Sequence, residues 1–381
     1  AHADAFPHQS SREAAAERSG WLAKLRWKLG IKPQPASDRG GPSIQDFGTA
    51  RWNANSPTED RDVTAQSDGL FVGAVMDGHG GWEVAEFVST RFTEELASRL
   101  KTSDAWNGST ADEAERKVKA ALEACYNGLD EEWVELVIDA FNSGFTHVAR
   151  VGACCIVVLV RPDKVVCANS GDCRAVLGRQ ETVLDTSFSA YKAVPLSHDH
   201  NAREPREQVK LTHAHPGESD VIVCKRQGVC YVKGRLQPTR AFGDLYLKRN
   251  EFNADPRRGL NIHGKYTPPY ITCTPEVTFT ERTESDAFVV VGSDGLWDYM
   301  SNDDAVQYVS KRLGKTSSGQ GQGGEWKYYG SPKAVAEGLL QEVLRRASNE
   351  YGMSLEDLKN LPAGRQRRSL HDDITITVVQ L

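Results

Sequence analysis

The chain has 381 residues, 39% of them hydrophobic, with a formal net charge of −6. That is enough apolar material for a sheet-built core, yet no run approaches the about 18 consecutive apolar residues of a membrane span. The acidic balance argues against nucleic acid as the main partner, which calls for a basic face.

In chain order, residues 1–42 stand apart as an extension. Trp21, Leu22, Leu25 and Leu29 recur at helical spacing with Lys24, Arg26 and Lys28 between them, the pattern of a basic amphipathic helix. Pro33, Pro35, Gly40, Gly41 and Pro42 read as a linker. Residues 43–381 then form one domain. Its first clear strand is the apolar run Phe71 to Met76, with Asp77-Gly78-His79-Gly80-Gly81 behind it as a tight, glycine-rich turn. Val84, Val88, Phe92, Leu96 and Leu100 predict an amphipathic helix over 82–100, and a second helical stretch covers 111–141. The β-rich runs Cys154 to Val160 and Val165 to Ala168, joined by Arg161-Pro162-Asp163-Lys164, predict a hairpin. Phe288 to Ser293 is a further strand running into Asp294-Gly295. Ser301 and Asp304 resemble a capping box before a helix, residues 317–324 predict a flexible loop, and 332–348 a last amphipathic helix. Asp372-Asp373 opens a final strand over 374–379.

Helices and strands mix without strict βαβ alternation, which predicts an α+β fold with helices covering sheets. Eight cysteines (Cys125, Cys154, Cys155, Cys167, Cys173, Cys224, Cys230 and Cys273) form no CxxC pair, and several sit inside apolar runs. They read as buried thiols of an intracellular protein rather than as a disulfide framework or zinc site. Asp77, Asp294 and Asp372 all fall at strand termini, which suggests one metal site assembled by the fold.

Seven motifs in order carry a resemblance. They are Thr58-Glu59-Asp60-Arg61, Asp77-Gly78-His79-Gly80-Gly81, Asn169-Ser170-Gly171-Asp172-Cys173-Arg174, Leu196-Ser197-His198-Asp199-His200, Thr239-Arg240-Ala241-Phe242-Gly243-Asp244, Gly292-Ser293-Asp294-Gly295-Leu296-Trp297-Asp298 and Asp372-Asp373-Ile374-Thr375. Together they resemble the metal-dependent protein phosphatases of type 2C. Around Asn55 to Arg61 and Asp199 to Glu204 the chain is most similar to the pyruvate dehydrogenase phosphatase branch, so the compartment is cytoplasmic or the mitochondrial matrix. The resemblance implies a central antiparallel β-sandwich flanked by helices on both sides, in four αββα layers. It implies a monomeric catalytic unit that hydrolyses phosphoserine and phosphothreonine in a phosphoprotein substrate by attack of a metal-bound hydroxide.

The resemblance also implies two Mg²⁺ or Mn²⁺ ions, with a third, weaker one in some relatives. Hard cations of this kind take oxygen ligands and keep several waters, so a few carboxylates suffice. By carry-over, Asp77 bridges both ions and Asp294 and Asp372 complete one site. The Gly78 carbonyl holds the other ion, with Glu59 and Asp60 acting on it directly or through water. Asp172 corresponds to the third-ion ligand, and Asp244 is a further contributor. His79 is placed to protonate the leaving alkoxide.

Two departures stand out. Many relatives carry a phosphate-clamping arginine where this chain has Asn55, which offers only a neutral amide, and Arg51 lies at the wrong spacing to replace it. Asp373 stands where many relatives have Asn, a change expected to be tolerated. A weakly active or inactive scaffold that binds a partner protein is the alternative function. Residues 201–236 fall where the family has a variable flap. There Arg203, Arg206, Lys210 and His213 are read either as phosphoprotein contacts or as a solvated helix face.

Overall fold

The computed structural model describes residues 43–67, 69–182, 189–225, 228–313 and 330–381. The amphipathic stretch 13–29 and the loop 317–324 predicted above lie outside the described residues.

The elements run β1 (Asp46–Trp52), β2 (Arg61–Ser67), β3 (Leu70–His79), α1 (Glu83–Thr102), α2 (Ala111–Asn142), β4 (Gly152–Val160), β5 (Lys164–Ser170), β6 (Arg174–Thr182) and β7 (Ser189–Pro195). They continue with α3 (Pro205–Ala214), β8 (Ile222–Cys224), β9 (Cys230–Val232), β10 (Phe242–Gly243), α4 (Leu245–Lys248), β11 (Glu276–Glu281), β12 (Asp286–Gly292) and α5 (Asp294–Trp297). The last are α6 (Asn302–Ser310), α7 (Pro332–Glu350), α8 (Leu355–Asn360), α9 (Arg365–Arg368) and β13 (Ile374–Gln380).

Two antiparallel sheets form, ordered β1-β13-β12-β6-β7 and β11-β5-β4-β3-β2, with β10 added beside β4. They share one core. Val75, Ile156, Val158 and Cys167 of the second sheet pack with Ala175, Leu177, Val289, Val291 and Val379 of the first. The intervening residues of the first sheet, Val176, Phe288, Val290 and Ile376, face the other way onto Val306, Leu339, Val343 and Leu344 of α6 and α7. Both faces are therefore covered, which explains why β4 and β12 read as unbroken apolar runs instead of alternating ones. Nine consecutive buried residues in β4, at about 1.5–3 kcal/mol per large apolar side chain, make it a main anchor of the core. On the second sheet's outer face Tyr126 of α2 donates its hydroxyl to the Ala168 carbonyl at 3.0 Å and stacks on Phe242 at 5.1 Å. The α+β sandwich expectation holds.

Three local expectations change. The strand after Leu70 runs through Asp77 and Gly78 to His79, because these residues pair with Cys154, Ala153 and Gly152; the turn is confined to Gly80 and Gly81, both at positive φ. Asp294, read at a strand terminus, opens α5 two residues after β12 ends. Ser301 does cap α6, accepting from the Asp304 amide as read. Finally, the absence of a CxxC pair hid a disulfide: Cys224 and Cys230 sit opposite each other across β8 and β9 and are bonded. The other six cysteines are buried thiols.

Candidate metal centre

Strand register brings the motif residues to one end of the sandwich. Trp52 pairs with Ile374, Gly292 with Ile376 and Arg61 with Met76. So the end of β1, the start of β2, the ends of β3 and β12 and the start of β13 lie together. Glu59 and Asp60 precede β2, Asp77 lies two residues before the end of β3, Asp294 follows β12 and Asp372 precedes β13. Each sheet supplies part of the cluster. The sheets are tied here by Ser293, whose hydroxyl accepts from the Thr375 amide at 3.0 Å and donates to Asp60 Oδ2 at 2.8 Å. The Asp294 amide also reaches Asp77 Oδ2 at 3.4 Å.

The electrostatics are those of many like charges in a half-closed space. Burial, reinforced by Asp294 and Asp60, holds the Asp77 carboxyl well above its usual range. Burial followed by Asp372 and Asp172 does the same to Asp294. Asp60 is pushed up to about 8 by burial and Asp373, and Glu59 to about 7 by burial and the nearby Asp373 and Asp372. Burial lifts Asp372 to about 6, against the pull of Arg368. Asp60 Oδ1 and Asp294 Oδ1 are buried without a hydrogen-bond partner. Among the described residues, no three His, Cys, Asp or Glu side chains close into a ligand shell by themselves. Partnerless carboxylate oxygens are the kind of donor that Mg²⁺ or Mn²⁺ takes. Asp172 is buried in the same cluster, but both of its oxygens have protein partners: Cys154 Sγ at 3.2 Å and Asn201 Nδ2 at 2.7 Å.

Gly78 is required by packing, since a Cβ there would strike the Glu59 carbonyl. Beside it, His79 Nε2 lies 2.5 Å from Asp244 Oδ2, and a Cβ on Gly152 would fall into this contact. Burial alone would lower the imidazolium, but charge and hydrogen bonding from Asp244 outweigh it and the His79 pKa is raised. Asp244 has a left-handed backbone (φ 49°) and is buried; its Oδ2 holds the histidine, while its Oδ1, like those of Asp60 and Asp294, has no hydrogen-bond partner.

Asn55 does not project as a phosphate clamp. Its amide donates to Asp373 Oδ2 at 3.1 Å and to Glu59 Oε2 at 3.3 Å. Asp373, 2% exposed, accepts from the backbone amides of Ala54 (2.5 Å), Asn55 (2.8 Å) and Glu59 (2.6 Å). It anchors the loop that presents Glu59 and Asp60, so the Asp is accommodated as expected and has in addition a role that the sequence did not show. Arg51 is paired with Asp62. In the flap, Arg203 pairs with Asp199, Arg206 with Glu276 and Lys210 with Glu207, so these cations are engaged within the chain.

The chain is similar to known proteins over most of its length. Residues 44–352 match the family model described as "Protein phosphatase 2C". That span ends before Asp372, whose place rests on the register of β13. "Probable protein phosphatase 2C 67" of Arabidopsis thaliana is 32% identical over 90% of this chain and 85% of its own length. "Probable protein phosphatase 2C 78" of Oryza sativa subsp. japonica is 30% identical over 94% and 80%. Among solved structures, serine-threonine phosphatase 2C from Toxoplasma gondii superposes with a TM-score of 0.58 at 18% identity, over 92% of this chain and 98% of that one.

Proposed function

Taking as premise that the chain belongs to the protein phosphatase 2C family and is a protein-serine/threonine phosphatase, we propose that its acidic end is a two-ion hydrolytic centre. Asp77 would lie between the ions, with Asp294 and Asp372 on one, the Gly78 carbonyl on the other and Glu59 and Asp60 beside it; Asp172 would serve a weaker third ion. Divalent ions held there would lower the pKa of a coordinated water and offset charge on the phosphoryl oxygens.

The chain's own groups do the rest. Asp373 fixes the Ala54–Glu59 loop so that Glu59 and Asp60 enter the site at set positions. Ser293 holds Asp60 by one oxygen and leaves the other bare. Asp244 favours the protonated form of His79, raising its pKa against the effect of burial. With Nε2 committed to Asp244, Nδ1 is the nitrogen left to protonate the leaving seryl or threonyl oxygen.

The observation that carries this reading is the pair of buried, partnerless carboxylate oxygens on Asp60 and Asp294, one from each sheet. The test is phosphate release from a phosphothreonine peptide with Mn²⁺, with EDTA, and in Asp294→Asn. Metal-dependent turnover that falls roughly 10²–10³-fold in the variant is expected. Turnover indifferent to EDTA would refute the two-ion centre.

A further inference from the structure

A phosphorylated side chain brings negative charge to a mouth already lined with Glu59, Asp372 and Asp298, and Asn55 contributes no cation there. The arginines around this end are mostly committed. Arg61 holds Glu86 and the Thr58 and Asp60 carbonyls, and Arg174 grips both oxygens of Asp199 and also Asn302. Arg367 is buried against Trp52 and donates to backbone carbonyls. Arg203 is shared by Asp199 and Glu204.

Arg368 differs. It closes α9, its side chain is 45% exposed, and its recorded ion-pair partner is Asp372, a carboxylate of the site itself. Its field reaches Glu59 and Asp298 as well as Asp372. A guanidinium has five N–H donors in a planar fork, so one bond to Asp372 leaves a face free toward solvent. A divalent ion on Asp372 would compete for that carboxylate and free the fork further.

We propose that Arg368 binds the phosphoryl group of the incoming phosphoprotein at the mouth of the acidic cluster, supplying the charge that Asn55 lacks. This rests on the phosphatase reading above. The guanidinium would take two phosphoryl oxygens by parallel N–H···O bonds, the geometry that arginine shares with carboxylates and phosphates.

The test compares the wild-type chain with Arg368→Gln and Arg368→Lys. Four quantities are read: KM and kcat for a phosphothreonine peptide, the inhibition constant of inorganic phosphate, and Mn²⁺ affinity by calorimetry without substrate. In Arg368→Gln, KM and the phosphate inhibition constant are expected to rise roughly ten- to a hundredfold. Mn²⁺ affinity should not fall, since the arginine competes with the ion for Asp372, and Arg368→Lys should recover part of the loss. An unchanged phosphate constant overturns the proposal. So does a fall in Mn²⁺ affinity without a change in phosphate binding, which would make Arg368 a positioning residue for Asp372. Inorganic phosphate titrated into the Mn²⁺-loaded chain reads the same contact without turnover. A failed phosphatase assay therefore remains distinguishable from a failed Arg368 assignment.

Discussion

The two ends of the central sandwich treat charge in opposite ways. At the far end, the turn between β4 and β5 gathers Arg161, Asp163 and Lys164, and each cation finds a partner. Lys164 meets Glu115 at 3.3 Å and Glu281 at 3.2 Å. Its side chain is 11% exposed, and burial would lower its pKa, but hydrogen bonds to those glutamates more than offset that. Arg161 lies over Trp106 at 4.5 Å, and Arg282 donates to the Ser43 carbonyl at 2.6 Å. At the site end β2, β3, β12 and β13 begin or end near carboxylates that raise one another's pKa values. The paired end shows what ordinary charge compensation looks like, whereas here, among the described residues, Arg368 alone is paired with a carboxylate of the cluster. That contrast marks the acidic end as built for an external cation.

The contrast can be broken most strongly by pH. In chelated protein, Glu59, Asp60 and Asp372 have folded pKa values of about 7, 8 and 6, all above those of the unfolded chain. The native state therefore holds more protons than the unfolded state between about pH 4 and pH 8, so stability falls as pH rises across that window. Each pKa unit corresponds to about 1.4 kcal/mol before coupling reduces it. Denaturant titrations with EDTA at pH 5.5 and pH 8 should show a loss of a few kcal/mol at the higher pH, which saturating Mn²⁺ removes. Equal stabilities under EDTA would contradict the uncompensated-cluster account.

Truncating the anchor comes next. Asp373→Ala strands the amides of Ala54, Asn55 and Glu59 and should cost about 3 kcal/mol. Asp373→Asn keeps an acceptor oxygen and should cost about 1 kcal/mol. Similar costs for the two variants, measured by urea unfolding, would argue against the anchoring role.

A smaller effect is expected at the histidine. Asp244→Asn removes the charge that raises the His79 pKa. A group acting as an acid works below its pKa, so the alkaline limb of the pH–rate profile should move to lower pH. Activity near pH 8 should then fall about tenfold, on the scale of one pKa unit. An unmoved limb would sever the Asp244–His79 link.

The least effect belongs to the paired end. Glu281→Gln removes one exposed partner of Lys164 and should cost under about 1 kcal/mol, with turnover unchanged. A loss of turnover there would mean that the two ends are not independent.

Much of this was legible in the sequence, for definite reasons. Asp77, Asp294 and Asp372 each abut an apolar run long enough to be a strand, so their meeting needed only that the strands pair, and the fold brings them together. The anchoring role of Asp373 was not legible because its partners are backbone amides of residues 54, 55 and 59, more than 300 positions away, and amides leave no mark in a sequence. The Asp244–His79 bond spans 165 positions and depends on a left-handed residue after Gly243, itself at positive φ. The Phe242-Gly243-Asp244 motif drew attention to Asp244 without revealing its partner. Cys224 and Cys230 were passed over because a six-residue separation becomes a juxtaposition only once a hairpin folds back between them.

Ser293 has a further consequence. Its hydroxyl and the Asp294 amide are links that cross from one sheet to the other at the acidic end, where the apolar core has run out. Any cation gripped by both Asp77 and Asp294 would act there as a mechanical clasp between the layers. The opening of this edge should then be slow when the clasp is closed and rapid when it is not. Backbone amides around Thr375 and Asp77 would report this as cation-dependent protection from deuterium exchange, while those around Val158 keep one rate throughout.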